Sequence, residues 1–194
     1  MNKSITYIVI VVAMLAFQVV ALLLMGHSLA YQSGPLKILS GAVHGSEDSQ
    51  QVFDWYSLSH VLEGVIFYFI AWLLGKKQGW GLGIVFLVAI LLQVGWEVFE
   101  NTYYGGQYYR HATQFTDYYG DSIVNSVADT LCVMIGFWLA YSFPLWAMIG
   151  LTVGIELVLF LTIHDNFTLS AIALISPLSK AIPLQGALGH IPLY

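Results

Sequence analysis

Long apolar stretches alternate with short polar ones along the chain, and each apolar stretch is close to the length that crosses a bilayer. The first runs from Ile5 to Met25 behind a short head holding Lys3. A signal peptide has an apolar core of only about 7–15 residues. The longer run here is therefore read as an uncleaved spanning helix, although Ser28-Leu29-Ala30 has the small residues of a cleavage site. Residues 27–54 turn polar, with Gly34-Pro35 and the run Glu47-Asp48-Ser49-Gln50-Gln51, which predicts a loop with room for a short surface helix. Further spans are predicted over 56–75, 80–100, 121–142 and 145–163, with Lys76-Lys77 and Phe143-Pro144 marking turns. Residues 167–178 are apolar but too short for a span, which needs about 20 residues. They predict a re-entrant or interfacial segment. The pattern therefore predicts an all-α integral membrane protein: a bundle of about five transmembrane helices plus that short C-terminal segment, with residues 1–194 as a single membrane domain.

Composition agrees with this. The 194 residues are 58% hydrophobic and 9% charged, where soluble domains carry about 25% charged residues. A formal net charge of −5 argues against nucleic acid as a partner. Cys132, the only cysteine, lies in an apolar run and reads as a packing residue. Orientation follows the basic residues. The head and the two short turns of one side hold Lys3, Lys76 and Lys77 and no acid, whereas Lys37, Arg110 and Lys180 sit in longer segments of the other side. This predicts a cytoplasmic N-terminus and an extracytoplasmic C-terminus.

With that topology, polar residues of four predicted helices reach the same leaflet. The richest stretch is Trp96–Asp129, with Glu97, Glu100 and Asn101 ending one helix and Asp121, Asn125 and Asp129 opening the next. Ionisable groups at such depth are costly and usually functional. Glu97 and Glu100 share a helix face, about 5–6 Å apart at Cβ, with Gln93 and Asn101 above and below. Two close carboxylates in a partly dry site cannot both ionise cheaply unless a metal or a cation such as Arg110 offsets them. Asp121, Asn125 and Asp129 recur every four residues and form a polar stripe that places Asp129 about 12 Å deeper than Asp121. Asp121 or Ser122 also fits a helix N-cap, which leaves Asp129 in need of a partner: Asn125, Gln93, Glu156 or His60.

His60 stands on the outer turn of the second span with Glu63 and Gly64, and is a metal ligand, a general base or a hydrogen-bonded structural residue. Arg110, the only arginine, suits a carboxylate or phosphate, either as a clamp on Glu100 or Asp117 or as a substrate-binding group. The tyrosines between Tyr103 and Tyr119 read as interfacial aromatics first. Asp165, Asn166 and Thr168 either cap the tail segment or, for Asp165, add a carboxylate to the cluster. No P-loop, HExxH or CxxC pattern is present. The donors are mostly oxygen with one histidine, a set that suits magnesium, manganese or calcium, or zinc or iron when His60 joins.

The pieces WYSLSH with Gly64, WEVFEN, YYGDSIVNSVAD with Gly136, and DNFTLS, spread over Trp55–Ser170, resemble a family of uncharacterised proteobacterial inner-membrane proteins. More distantly, the order histidine, helix-ending acids, arginine, then D-x-x-x-N is similar to VanZ-like membrane proteins, which are linked to glycopeptide resistance and envelope lipids. The closer family tends to carry an arginine before the DN pair. Here the residue is His164, so no anion-binding role carries over. The resemblance implies a bacterial inner-membrane location and the place of the site.

Two functions follow as expectations. In one, the chain is a metal-dependent hydrolase or transferase for a lipid or lipid-linked substrate. Glu97, Glu100, Asp121, Asp129 and His60 are then catalytic, and Glu97, Glu100, Asp121 and His60 hold a divalent metal ion. Arg110, Asn101, Asn125, Asp165 and Asn166 bind substrate. In the other, it is a non-catalytic membrane subunit, assembly factor or lipid- or metal-binding module, with a membrane-protein partner. A through-channel is disfavoured because the helices below Asp129 and Glu156 are apolar.

Overall fold

The computed structural model describes residues 3–42, 45–112, 118 and 120–175, with the side chains of 108–112 and 175 outside the description. Among these residues the regular structure is entirely helical: α1 Lys3–Met25, α2 Ser57–Lys76, α3 Leu82–Glu100, α4 Tyr103–Ala112, α5 Ile123–Ser142, α6 Leu145–Ile163 and α7 Phe167–Ile175. Five of them, α1, α2, α3, α5 and α6, are long and apolar enough to cross a membrane. They fall where the hydrophobic pattern predicts, within about two residues at each end.

α5 is the middle of the bundle and packs against α1, α2, α3 and α6. Its small residues allow this, since without a hydrophobic driving force in lipid, close backbone approach is what brings helices together. The α2–α5 pair is the most extensive. Gly64 on α2 meets the carbonyl of Val133, and Gly136 on α5 meets the carbonyl of Val61, so closely that neither position has room for a Cβ atom. Apolar clusters complete the seam: Phe137 with Ala71, Val85 and Ala89 on one side, and Leu62 with Ile155, Leu159 and Ile163 on the other.

The segment between α1 and α2 forms an ordered cap over one end of the bundle. The Ser122 backbone N–H donates to the Ser49 carbonyl at 2.9 Å, the Ser122 hydroxyl to the Gln50 carbonyl at 3.0 Å, and the Gln50 side-chain Nε2 to the Gly120 carbonyl at 2.9 Å. The described part of this segment holds turns and one isolated bridge, Leu39 with Phe53, and no helix. The stretch after α3, which lies between two predicted spans and has the glycines and tyrosines of a loop, is helical over α4. The signal was Thr102, whose hydroxyl accepts the Gly105 amide at 3.0 Å and caps the helix.

At the far end of α6, His164 adopts the left-handed conformation (φ 55°), a helix ending that glycine makes most easily. The reversal turns Asp165 inward and starts α7, whose Leu169 amide is capped by Asn166 at 2.8 Å.

Candidate functional site

The helix ends bring five of the predicted polar residues, His60, Glu97, Glu100, Asp121 and Asp129, close together. Asp54 accepts the amides of Tyr56 and Ser57 at 2.8 and 3.1 Å and so starts α2, which sets His60 one turn in. Ser122, not Asp121, caps α5 and accepts the Asn125 amide at 3.2 Å. The Asp121 carboxylate is thereby left to the site. Asn101 at the end of α3 clasps Asp121 twice: its amide donates to Oδ2 at 2.7 Å, and its Oδ1 accepts the Asp121 N–H at 2.7 Å. Tyr118 adds a hydroxyl to Asp121 Oδ1 at 3.1 Å.

Deeper in, His60 links two helices. Its Nδ1 lies 3.0 Å from Glu63 Oε2 and its Nε2 lies 3.6 Å from Asp129 Oδ2. Asp129 also accepts the Ser57 hydroxyl at 2.8 Å. Of the four partners the sequence offers for Asp129, His60 is the one found, and Ser57 is a second that the pattern gave no reason to choose. Glu156 instead turns to the Thr168 amide at 3.2 Å.

Glu97 is fully buried. It accepts from Gln93 at 2.6 Å and from the Ser126 hydroxyl at 2.6 Å. Behind it, Gln18 of α1 donates to Ser126 Oγ at 2.7 Å and accepts from Thr130 at 3.0 Å. A lone glutamine in an apolar run is a polar group that lipid would penalise. Gln18 carries that signal in the sequence, and only the structure shows what it meets.

A cavity of about 670 Å³ opens beside these groups. One end is polar, with Asp48, His60, Glu63, Glu100, Asp121 and Asp129. The rest is walled by apolar residues of α2, α3 and α7, among them Phe67, Leu91, Trp96, Phe99, Phe167 and Leu174. A second, more polar cavity of about 920 Å³ lies outside the helix ends and shares Asp48, Glu100 and Asp121 with the first. Asn101 faces the polar cavity, whereas Asn125, Asp165 and Asn166 line neither. Asp165 fastens α7 to α2, accepting from Ser170 at 2.8 Å and from Tyr56 at 3.3 Å. Arg110 and Asp117 carry expectations that lie outside the described side chains.

Charge is unbalanced here. Among the described residues no lysine or arginine pairs with any acid of the cluster; Lys37 pairs with Glu47, which lies outside it, at 2.7 Å. His60 is the one described base in ion-pair contact with these acids. Carboxylates gathered in a low-dielectric site need protons or cations to make up the difference.

Asp48, in the loop before α2, lines both cavities, although in sequence it is one residue of a polar run. Burial, then the charges of Asp54 and Asp121, push its carboxyl from 3.8 up to about 8. Burial likewise raises Asp54. The folded chain therefore holds a proton on Asp48 that the unfolded chain releases. The stability this group contributes is complete below about pH 3.8 and is lost as pH rises towards 8. Asp48→Asn is expected to flatten the decline of the thermal midpoint over that interval. Unfolding curves recorded in detergent at stepped pH check this, and an unchanged slope would count against it.

Residues 22–187 match a family described as Protein of unknown function (DUF2585). The chain belongs to that family. It is similar to a UPF0314 protein of Paracoccus denitrificans, with 37% identity over 185 residues, covering 94% of this chain and 91% of that one. It is 35% identical over 177 residues to UPF0314 protein R03235 of Rhizobium meliloti, covering 91% and 89%. A UPF0314 protein of Sphingopyxis alaskensis is 35% identical over 166 residues, covering 85% and 87%. No solved structure matches the chain. Family membership agrees with the proteobacterial family that the sequence pieces resemble, and the matched region takes in all the described site residues except Gln18.

Proposed function

We propose that this chain is a membrane-embedded hydrolase or transferase that acts on a lipid or lipid-linked substrate at the outer face of a bacterial inner membrane. Its N-terminus is cytoplasmic, its C-terminus extracytoplasmic, and residues 1–194 work as one membrane domain with α7 as an interfacial segment. The observation that carries this reading is the shape and lining of the 670 Å³ cavity. It has an apolar wall open to the side, where Leu91 and Phe99 are 57% and 47% exposed, and a polar end made of acids and a histidine. An acyl or prenyl chain fits the first and a head group the second. The distant likeness to VanZ-like proteins points to the same envelope-lipid class.

In this reading Glu97, Glu100, Asp121, Asp129 and His60 form the reacting end. A divalent cation (magnesium, manganese, calcium or zinc) suits the oxygen-rich donors beside His60. Bound there, it would supply Lewis-acid chemistry towards a phosphoryl or acyl oxygen or a water. The chain's own residues position the acids that would hold it: Asn101 and Tyr118 hold Asp121, while Gln93 and Ser126 hold Glu97. The Arg110 fork steers an anionic head group.

The alternative is a non-catalytic membrane subunit, assembly factor or binding module. The hydrogen-bonded chain from Gln18 through Ser126 to Glu97 favours it, because interhelical bonds of this kind hold bundles together at about 0.6–2 kcal/mol each.

A phospholipid bearing a photoactivatable group on its acyl chain tests the cavity. With the purified chain in detergent at one lipid per protein, labelling is expected on Phe67, Leu91, Trp96 and Phe99, and is expected to drop sharply in Ala171→Trp, which fills the cavity beside α7. Labels spread equally over α1 and α6, and unaffected by Ala171→Trp, would sink the lipid reading.

A further inference from the structure

The residues that the sequence groups as one metal site fall into two groups that share a member. His60, Glu97 and Asp129 bring one ligand atom each to within 4.8 Å of one another, and so do Glu97, Glu100 and Asp121. Opposite ligands stand about 4.0–4.2 Å apart across a magnesium-sized ion and about 4.6–5.2 Å across a calcium-sized one. Each group therefore suits a cation with only small side-chain adjustment. Glu97 is the hinge. Its two oxygens take separate partners, Oε1 from Gln93 and Oε2 from Ser126, both at 2.6 Å, so the carboxylate is held by both arms.

We propose that this chain binds a pair of divalent cations about 3.5–4 Å apart, bridged by Glu97. One position would be completed by His60 and Asp129, and the other by Glu100 and Asp121. The proposal deepens the hydrolase or transferase reading and rests on it for the site's purpose, though not for the binding itself.

Acids alone do not make a cation site, and a second observation points the same way. Ser59 is 7% exposed and lines the cavity next to His60, and its hydroxyl has no hydrogen-bond partner. The side-chain Oε1 of Gln93, a fully buried residue beside His60 and Glu97, has none either. Native interiors rarely leave such atoms unpaired, and those that stay so call for an ion or a bound water. A hydrated cation held by His60 would offer such atoms a partner through its water shell. Among the described residues, the excess of buried acid over base around Glu97 calls for the same positive charge.

The two positions would differ in donors and in access. The first has a nitrogen ligand and lies against the amphipathic cavity alone, since His60 and Asp129 line only that one. The second is all oxygen and lies between the two cavities, since Glu100 and Asp121 line both. A lipid head group thus meets the first, and water or a soluble acceptor reaches the second from the polar side.

Manganese(II) is the probe. The full-length chain, purified in detergent and stripped with a chelator, is titrated while free manganese is followed by electron paramagnetic resonance. About two ions per chain are expected, with the broadened signal of a coupled pair at saturation. His60→Ala and Glu100→Gln are each expected to bind about one ion and to lose the coupling, with circular dichroism verifying helix content. Wild-type binding of one ion or none overturns the proposal, as do two uncoupled ions or a pair that survives both substitutions. If one variant fails to fold, the other variant and the wild-type stoichiometry still decide. Two bound ions without any lipid turnover would retire the enzyme reading alone. Turnover with a single ion would retire the paired site alone.

Discussion

Gly136→Val is expected to drive α5 off α2 and to leave little folded protein. A Cβ at position 136 would run into the Val61 carbonyl, which is backbone inside a helix and cannot swing away as a side-chain tip can. Overpacking a tight interior costs about 1–3 kcal/mol and sometimes more, and two rigid helices facing each other place this case at the upper end. The same contact exists in reverse, where Gly64 meets the Val133 carbonyl, so Gly64→Val should behave alike. Gly150→Val is the control, because nothing lies within 4 Å of a Cβ there. Fluorescence-detected size exclusion and thermal melts in detergent measure the effect. A Gly136→Val variant as monodisperse and as stable as the Gly150→Val control would mean that the helices pack otherwise. The effect reaches the site as well, since His60 and Gly64 lie one turn apart on α2 and share one face.

The second large effect concerns chemistry. Asp121→Ala and Glu97→Ala are each expected to remove at least about 10²–10⁴-fold of activity, the range for a positioned acid or base. Asp121→Ala should do so while keeping the fold, because Ser122 caps α5 and Asp121 contributes only its clasp with Asn101 and Tyr118. Glu97→Ala leaves Gln93 and Ser126 without their acceptor and should melt earlier. The measurement is lipid turnover in proteoliposomes made from a bacterial lipid extract, read by mass spectrometry against the wild type. Wild-type turnover in both variants would end the reading of Asp121 and Glu97 as catalytic residues. Loss of stability in both, without any turnover in the wild type, would favour a structural module held together by its polar network.

How much of this was legible beforehand depended on the kind of signal. The five long helices were read from runs of apolar residues, because hydrocarbon forbids unsatisfied backbone and so forces helix wherever the run is long enough. The short α4 was missed because its composition is that of a loop, and its start is fixed by a single hydroxyl on Thr102. The acids of α3 and α5 stood out as charges in apolar surroundings. Asp48 and Asp54 did not, since in a polar loop a carboxylate is unremarked until the loop folds back over the helix ends. Gln18 was one polar residue in a span, and its role depends on Ser126 and Thr130 lying opposite it, more than a hundred residues along the chain.

Sequence alone determined that this protein is a helical membrane bundle and that its ionisable residues crowd towards the ends of particular helices, because periodicity, length and charge are local properties. Only the tertiary structure decided which of those residues meet. The close approach of α2 to α5 through Gly64 and Gly136 sets His60 against Asp129. The Asn101 clasp brings Asp121 to the end of α3, where it joins Glu97 and Glu100. The division of one predicted cluster into two groups around Glu97 is a matter of how the helices are rotated and spaced, and no pattern along a single chain encodes distances between helices.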